Sequence, residues 1–182
     1  MQTSNPLEED GAAVLADFSQ AHSEIISHLM AFSGLPTGLQ DAAAHASARK
    51  VAADALVFFQ ETIFAHHVEE EQLLFPEVLA RASRGVEHER IGSVIEQLTA
   101  EHRQIEALWS GLAPALRRIV AGESLDLDAD AVHSLVLDYG AHAAFEEADF
   151  LPLSREILRR NAADLPEFAS TLNGQLDRIH AL

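Results

Sequence analysis

The feature that most constrains the fold is an eleven-residue pattern that occurs twice. His66-His67-Val68-Glu69-Glu70-Glu71-Gln72-Leu73-Leu74-Phe75-Pro76 aligns with His142-Ala143-Ala144-Phe145-Glu146-Glu147-Ala148-Asp149-Phe150-Leu151-Pro152 at a constant offset of 76. Each copy reads His, three residues, Glu-Glu, four residues, Pro. Upstream, His22 aligns with His102 at an offset of 80, which pairs Leu15 with Ile95, Phe18 with Leu98, Ile25 with Ile105 and Leu29 with Trp109. Each half therefore reads as one helix with an inward His, followed by one helix with an inward His-x-x-x-Glu. Positions i and i+4 lie one turn apart on the same helix face. An imidazole nitrogen and a carboxylate oxygen at that spacing can reach one metal ion, or two neighbouring ions, without distorting the backbone.

The apolar residues recur at helical spacing in four long stretches and a shorter fifth, with no strand alternation. The first starts after Asp10 as N-cap, carries Val14, Leu15, Phe18, His22, Ile25, Ile26 and Leu29, and stops at Gly34-Leu35-Pro36. The second runs from Leu39 to Ser83 with Phe59, Ile63, His66, Glu70 and Leu73 on one stripe. Its length predicts a break near Ala46-Ser47 and a bend at Pro76. The third, Glu87 to Val120, places Ile91, Ile95, Leu98, His102, Ile105 and Trp109 on one face, with a kink at Pro114 and an end at Gly122. The fourth is capped by Asp128 or Asp130, carries Leu135, Tyr139, His142, Glu146 and Phe150 inside, and ends beyond Pro152. Leu165, Phe168, Leu172, Leu176 and Ile179 form a final amphipathic stripe. The expected fold is all-α, an up-down-up-down four-helix bundle with an additional C-terminal helix. In residue terms this is a flexible N-terminus over 1–10, the bundle over 11–162, and a helix over 163–182 packed on the bundle or on a partner, which leaves a homodimer open.

Composition narrows the chemistry. The chain has no Cys, so disulfides, thiolate metal sites and thiol nucleophiles are excluded, and any metal must sit on nitrogen and oxygen. Twelve basic residues stand against twenty-nine acidic ones, a net charge of −17, which argues against binding nucleic acid or an anionic membrane surface. The acidic N-terminus does not read as a signal peptide and no apolar run is long enough to span a bilayer, so the expected location is the cytoplasm. Gly-rich phosphate loops, His-Glu-x-x-His and nucleophile elbows are absent. The inward carboxylates and imidazoles share their stripes with Phe59, Ile63, Leu73, Leu135 and Phe150, so they point into the core. There they need each other or a cation. Four imidazoles and two carboxylates make a cage for two divalent ions. A lone His-x-x-x-Glu carries little weight, since His67/Glu71 and His102/Glu106 are also such pairs. His67, about 100° round the helix from His66, reads as surface or as a neighbour that orients a ligand. His28 reads as a boundary residue, and His45, His88, His133 and His180 as surface.

With these motifs the chain resembles the hemerythrin-like, HHE cation-binding family from about Phe18 to Pro152. The ferritin-like alternative would require Glu-x-x-His instead. The resemblance implies a hemerythrin-like bundle with iron ligands at His22, His66, Glu70, His102, His142 and Glu146. Glu70 and Glu146 would bridge an oxo- or hydroxo-bridged non-haem di-iron (Fe) centre, with Zn or Ni as substitutes. Family members bind dioxygen reversibly, sense oxygen or redox state, handle nitric oxide or peroxide, or take part in iron–sulfur repair, so the implied partners are O2, NO or peroxide. Two positions depart from the invertebrate oxygen carriers. Glu106 stands where they have a second His, and Glu147 holds their five-residue carboxylate spacing while Glu146 holds the four-residue spacing of bacterial members. Glu106 is kept as a candidate metal ligand, the alternative being a carboxylate that orients an imidazole. A carboxylate in place of an imidazole favours ferric iron, and with it a centre that oxidises readily over a reversible oxygen carrier. Two classes of function remain: a metal- and O2-binding or sensing protein, and a di-iron oxidoreductase acting on peroxide or NO or in iron-centre repair. The last role loses weight in a chain without Cys.

Overall fold

Apolar side chains recurring every three or four residues fold into four helical runs. The computed structural model describes residues 6–34, 42–123 and 126–160, and every regular element among them is helical. We number the runs α1 (Pro6–Ser33), α2 (residues 42–81), α3 (Val86–Ala121) and α4 (residues 129–160). None of the described helices is long and apolar enough to cross a membrane. The expected C-terminal helix, 163–182, lies outside the described residues.

The ends of the runs follow local chemistry. α3 closes in a Schellman turn: Gly122 N–H donates to Ile119 O, Glu123 N–H donates to Arg118 O, and Gly122 takes φ +75°, open to glycine without a Cβ clash. α4 opens on Asp128, whose carboxylate accepts the backbone N–H groups of Asp130 and Ala131 at 3.1 and 3.0 Å. Of the two expected caps, Asp128 is the one used. α1 begins at Pro6, a residue suited to a first helical turn, and so starts ahead of the expected Asp10 cap and within the stretch expected to be flexible. No break occurs at Ala46-Ser47; the Ala-rich segment Ala42–Phe58 holds no Gly or Pro and runs through as one helix. α3 continues past Pro114, as expected. Ser110, whose carbonyl loses its donor there, is exposed, so water can satisfy it.

α2 and α4 are not regular α-helices. α2 contains two wide π turns, Phe59–Ile63 and Glu70–Leu74, and α4 contains one, Glu146–Phe150. Phe75 N–H donates to Glu70 O and Leu151 N–H donates to Glu146 O, each five residues back. Both of these turns are followed at once by proline, Pro76 and Pro152. A proline ring crowds the carbonyl four residues earlier, and a widened turn gives it room. The bend expected at Pro76 is thus realised as a π turn, and the repeat places a second at Pro152. The extra residue advances the helix face by about 100°. Leu74, Phe75 and Val78 are buried after Glu70, while Leu73, expected on the inner stripe, is half-buried.

The described residues divide into two compact units, those within 6–22, 66–99 and 143–160, and those within 23–65 and 100–142. Each contains a stretch of all four helices, and the chain passes from one unit to the other within each helix, in alternating direction. The first unit has a core of Leu15, Phe18, Leu74, Phe75, Val78, Ile91, Leu98, Phe150, Leu151, Ile157 and Leu158. Its Phe75 and Phe150 rings, matched in the repeat only to within one residue, meet edge to face at 5.0 Å. At its margin Arg160 reaches both oxygens of Glu87, at 2.7 and 2.6 Å, tying the end of α4 to the start of α3. In the second unit Trp109 stacks flat on Phe59 at 3.9 Å and meets Phe32 at 6.4 Å, with Ile25, Leu116, Ile119 and Leu135 buried in the same unit.

Two substitutions test these assignments by urea denaturation of the metal-free protein. Phe150→Ala should cost about 3–5 kcal/mol, because it opens a cavity in a closed core. Asp128→Ala should cost about 1 kcal/mol, because it removes a helix cap and nothing else.

Candidate metal centre

The repeat puts a His and a Glu one turn apart on α2 and again on α4, and the single His of α1 and of α3 faces inward by its apolar period. All six side chains are withdrawn from water: His22, His66, Glu70, His102, His142 and Glu146 are between 0% and 5% exposed.

Four of them meet in the first unit. His22, His66, Glu70 and Glu146 each offer a ligand atom, and these atoms all lie within 4.8 Å of one another. His66 Nε2 lies 3.0 Å from Glu70 Oε1, the contact that the four-residue spacing anticipates. His22 Nε2 lies 3.1 Å from Glu146 Oε2, a contact between α1 and α4. The other ring nitrogen of His22, Nδ1, is 3.3 Å from Glu147 Oε1. Phe18, one turn before His22, sets its ring 5.5 Å from that of His66 and closes the cluster with apolar surface.

The electrostatics follow from burial and from the two carboxylates. Burial pushes the Glu70 carboxyl well above the ordinary range, and the neighbouring Glu146 charge adds to it. For His22, burial works to lower the pKa, but the hydrogen bond and charge of Glu146, then those of Glu147, outweigh it and the imidazole is raised. Two imidazoles and two carboxylates, dry and convergent, are a donor set for a hard or borderline cation, and its charge would offset the mutual repulsion of Glu70 and Glu146.

In the second unit His102 and His142 stand with ring centroids 4.8 Å apart, edge to face. His142 Nδ1 is 3.1 Å from Glu101 Oε2, and the buried Tyr139 ring lies 5.8 Å from the His142 ring. Glu106, one turn after His102, is half-buried. Its carboxylate takes Arg103 Nη1 at 2.6 Å on the outer side of α3.

Of the remaining histidines, His45, His88 and His133 are exposed as expected, and His180 lies outside the described residues. His28 is exposed and stacks on Phe58 at 4.1 Å. Of the two readings of His67, the surface one falls. It is 1% exposed. A signal for this was present in the sequence: Ile63, His67, Glu70 and Leu74 form a second run at four-, three- and four-residue spacing, and all four are buried. Glu101 had no such signal, because its contact with His142 joins two helices and depends on tertiary placement.

A family model described as the hemerythrin HHE cation binding domain matches residues 13–154. The chain belongs to the hemerythrin HHE family. Every candidate ligand from His22 to Glu146 falls inside the matched stretch, and the all-α four-helix bundle expected from the repeat is the hemerythrin-like fold. No curated protein and no solved structure matches the chain significantly. In this hemerythrin HHE protein the buried His/Glu cluster of the first unit could hold a metal ion, in keeping with the cation binding for which the family is described.

The raised Glu70 pKa fixes a sign for the metal-free protein. A carboxyl whose pKa is higher folded than unfolded favours the folded state at low pH, and that contribution is lost as pH rises from the ordinary carboxylate range through the raised value. Glu70→Gln removes this ionisation while keeping the shape. The metal-free variant should therefore be more stable than metal-free wild type at neutral pH, with the difference shrinking toward pH 4.5. Thermal melts with chelator across that range check it, and an unchanged difference at both ends would contradict the assignment.

Proposed function

We propose that this protein is an iron-binding hemerythrin-like module that takes up a small diatomic ligand, dioxygen or nitric oxide, at a two-ion centre. The observation that carries this reading is the convergence of His22, His66, Glu70 and Glu146 within 4.8 Å in a dry core. One ion would be held by these four side chains. His102 and His142, paired in the second unit, are the ligands that family membership suggests for the other.

Iron bound on nitrogen and oxygen donors supplies a redox-active centre with affinity for small ligands. The residues do the rest. Glu70 and Glu146 would offset the charge of the ions, His22 and His66 would supply borderline nitrogen donors, and Phe18 covers the cluster with apolar surface. Because the four side chains are at most 5% exposed, only a ligand of a few atoms reaches them without the helices parting. The chemistry needs neither nucleic acid nor a membrane, and the cytoplasm is the proposed setting.

Anaerobic reconstitution with ferrous iron, followed by metal counting and optical or Mössbauer spectroscopy, tests the proposal. Wild type should retain about two irons per chain, and the His66→Ala, Glu70→Ala double variant markedly fewer. Wild type that retains no more iron than the variant would refute it. Rapid catalytic decay of hydrogen peroxide by the loaded wild type, lost in the variant, would move the protein to the oxidoreductase class.

A further inference from the structure

An imidazole has two ring nitrogens, and the one that meets a metal must carry no proton. Which nitrogen that is depends on what the other one contacts. Two carboxylates that the ligand set does not use stand at this second position. Glu147 Oε1 lies 3.3 Å from His22 Nδ1, while Nε2 of the same ring faces Glu146 at 3.1 Å. Glu101 Oε2 lies 3.1 Å from His142 Nδ1, and the ring of His142 stands against that of His102. In both rings the acidic partner is on Nδ1. Both imidazoles are buried, at 3% and 0% of side-chain area, whereas Glu147 is 40% and Glu101 28% exposed. The two acids thus keep contact with water, and each turns one oxygen inward to a ring nitrogen.

We infer that Glu147 and Glu101 are positioning residues, each accepting the Nδ1–H of a histidine so that its Nε2 is presented, unprotonated and fixed in direction, to a metal ion. This gives the Glu-Glu doublet of α4 a division of labour. Adjacent residues sit about 100° apart on a helix. Glu146 therefore enters the cluster while Glu147 reaches the back of His22. The candidate carboxylate at five-residue spacing is assigned to the far side of a ligand ring, and Glu101, on α3, does the same for His142.

This inference rests on the metal-binding reading above, and its test separates the two. Glu147→Ala, Glu147→Gln, Glu101→Ala and Glu101→Gln are made in the full chain. Each is titrated with Fe(II) against a competing chelator, and with Co(II), whose visible bands report the ligand field. Each Ala variant should weaken one of the two bound ions by about 10–100-fold and shift the Co(II) bands, and the Glu147→Ala, Glu101→Ala double variant should weaken both. Each Gln variant keeps an acceptor but not the charge, and should fall between wild type and Ala. The metal-free variants should keep the wild-type far-UV circular dichroism, since both positions are partly exposed. Wild-type affinities and unshifted Co(II) bands in both Ala variants would overturn the inference while leaving the proposed function standing. Failure of wild type itself to bind either metal would overturn both.

Discussion

The structure turns on two carboxylates held out of water beside each other. Glu70 and Glu146 are fully buried, and the charge of Glu146 adds to the burial that makes Glu70 costly to ionise. Removing one such charge from water costs several kcal/mol in a real protein, a large fraction of the stability of a domain this size. A fold keeps such a pair only where the surroundings or a cation compensate. Here the compensation is local: His22 and His66 each lie within about 3 Å of one of the acids, and the apolar core of the first unit surrounds the group.

The cost is spread over several parts of the chain. The two acids come from corresponding points of the internal repeat, so one local solution, an acid at the start of a π turn with proline after it, is used twice. The π turn places its carboxylate inward and then rotates the following residues so that Leu74, Phe75 and Val78, or Phe150, Leu151 and Ile157, continue the core. Function and packing are thus set by the same turn of helix. In the second unit a third π turn, Phe59–Ile63, presents Phe59 flat to Trp109.

Much of this was legible in the residues, for reasons that also mark where legibility ends. His66 to Glu70 is a contact within one helix and follows from spacing alone, as do the inward faces of His22, His102, His142 and Glu146. The departures have separate physical causes. A regular period points Leu73 inward, but the turn at Glu70–Leu74 gains a residue and buries Leu74 in its place. The length of the second run suggests a break near Ala46-Ser47, yet Ala42–Phe58 holds no Gly or Pro to make one. Glu101 and Glu147 reach histidines 41 and 125 residues away, and no local pattern encodes such pairs.

The two widened turns also set what kind of change the chain can absorb. A substitution at Gln72 or Ala148 alters one side chain. A deletion between Glu70 and Phe75, or between Glu146 and Leu151, would let the backbone fall back to ordinary helical winding and swing the rest of the run by about 100°. Phe75 and Val78, or Leu151, Ile157 and Leu158, would then leave the core together, while the acid one turn earlier kept its place. The interval between each histidine and its proline is therefore fixed by helix phase, and its length is held more tightly than most of the residues that fill it.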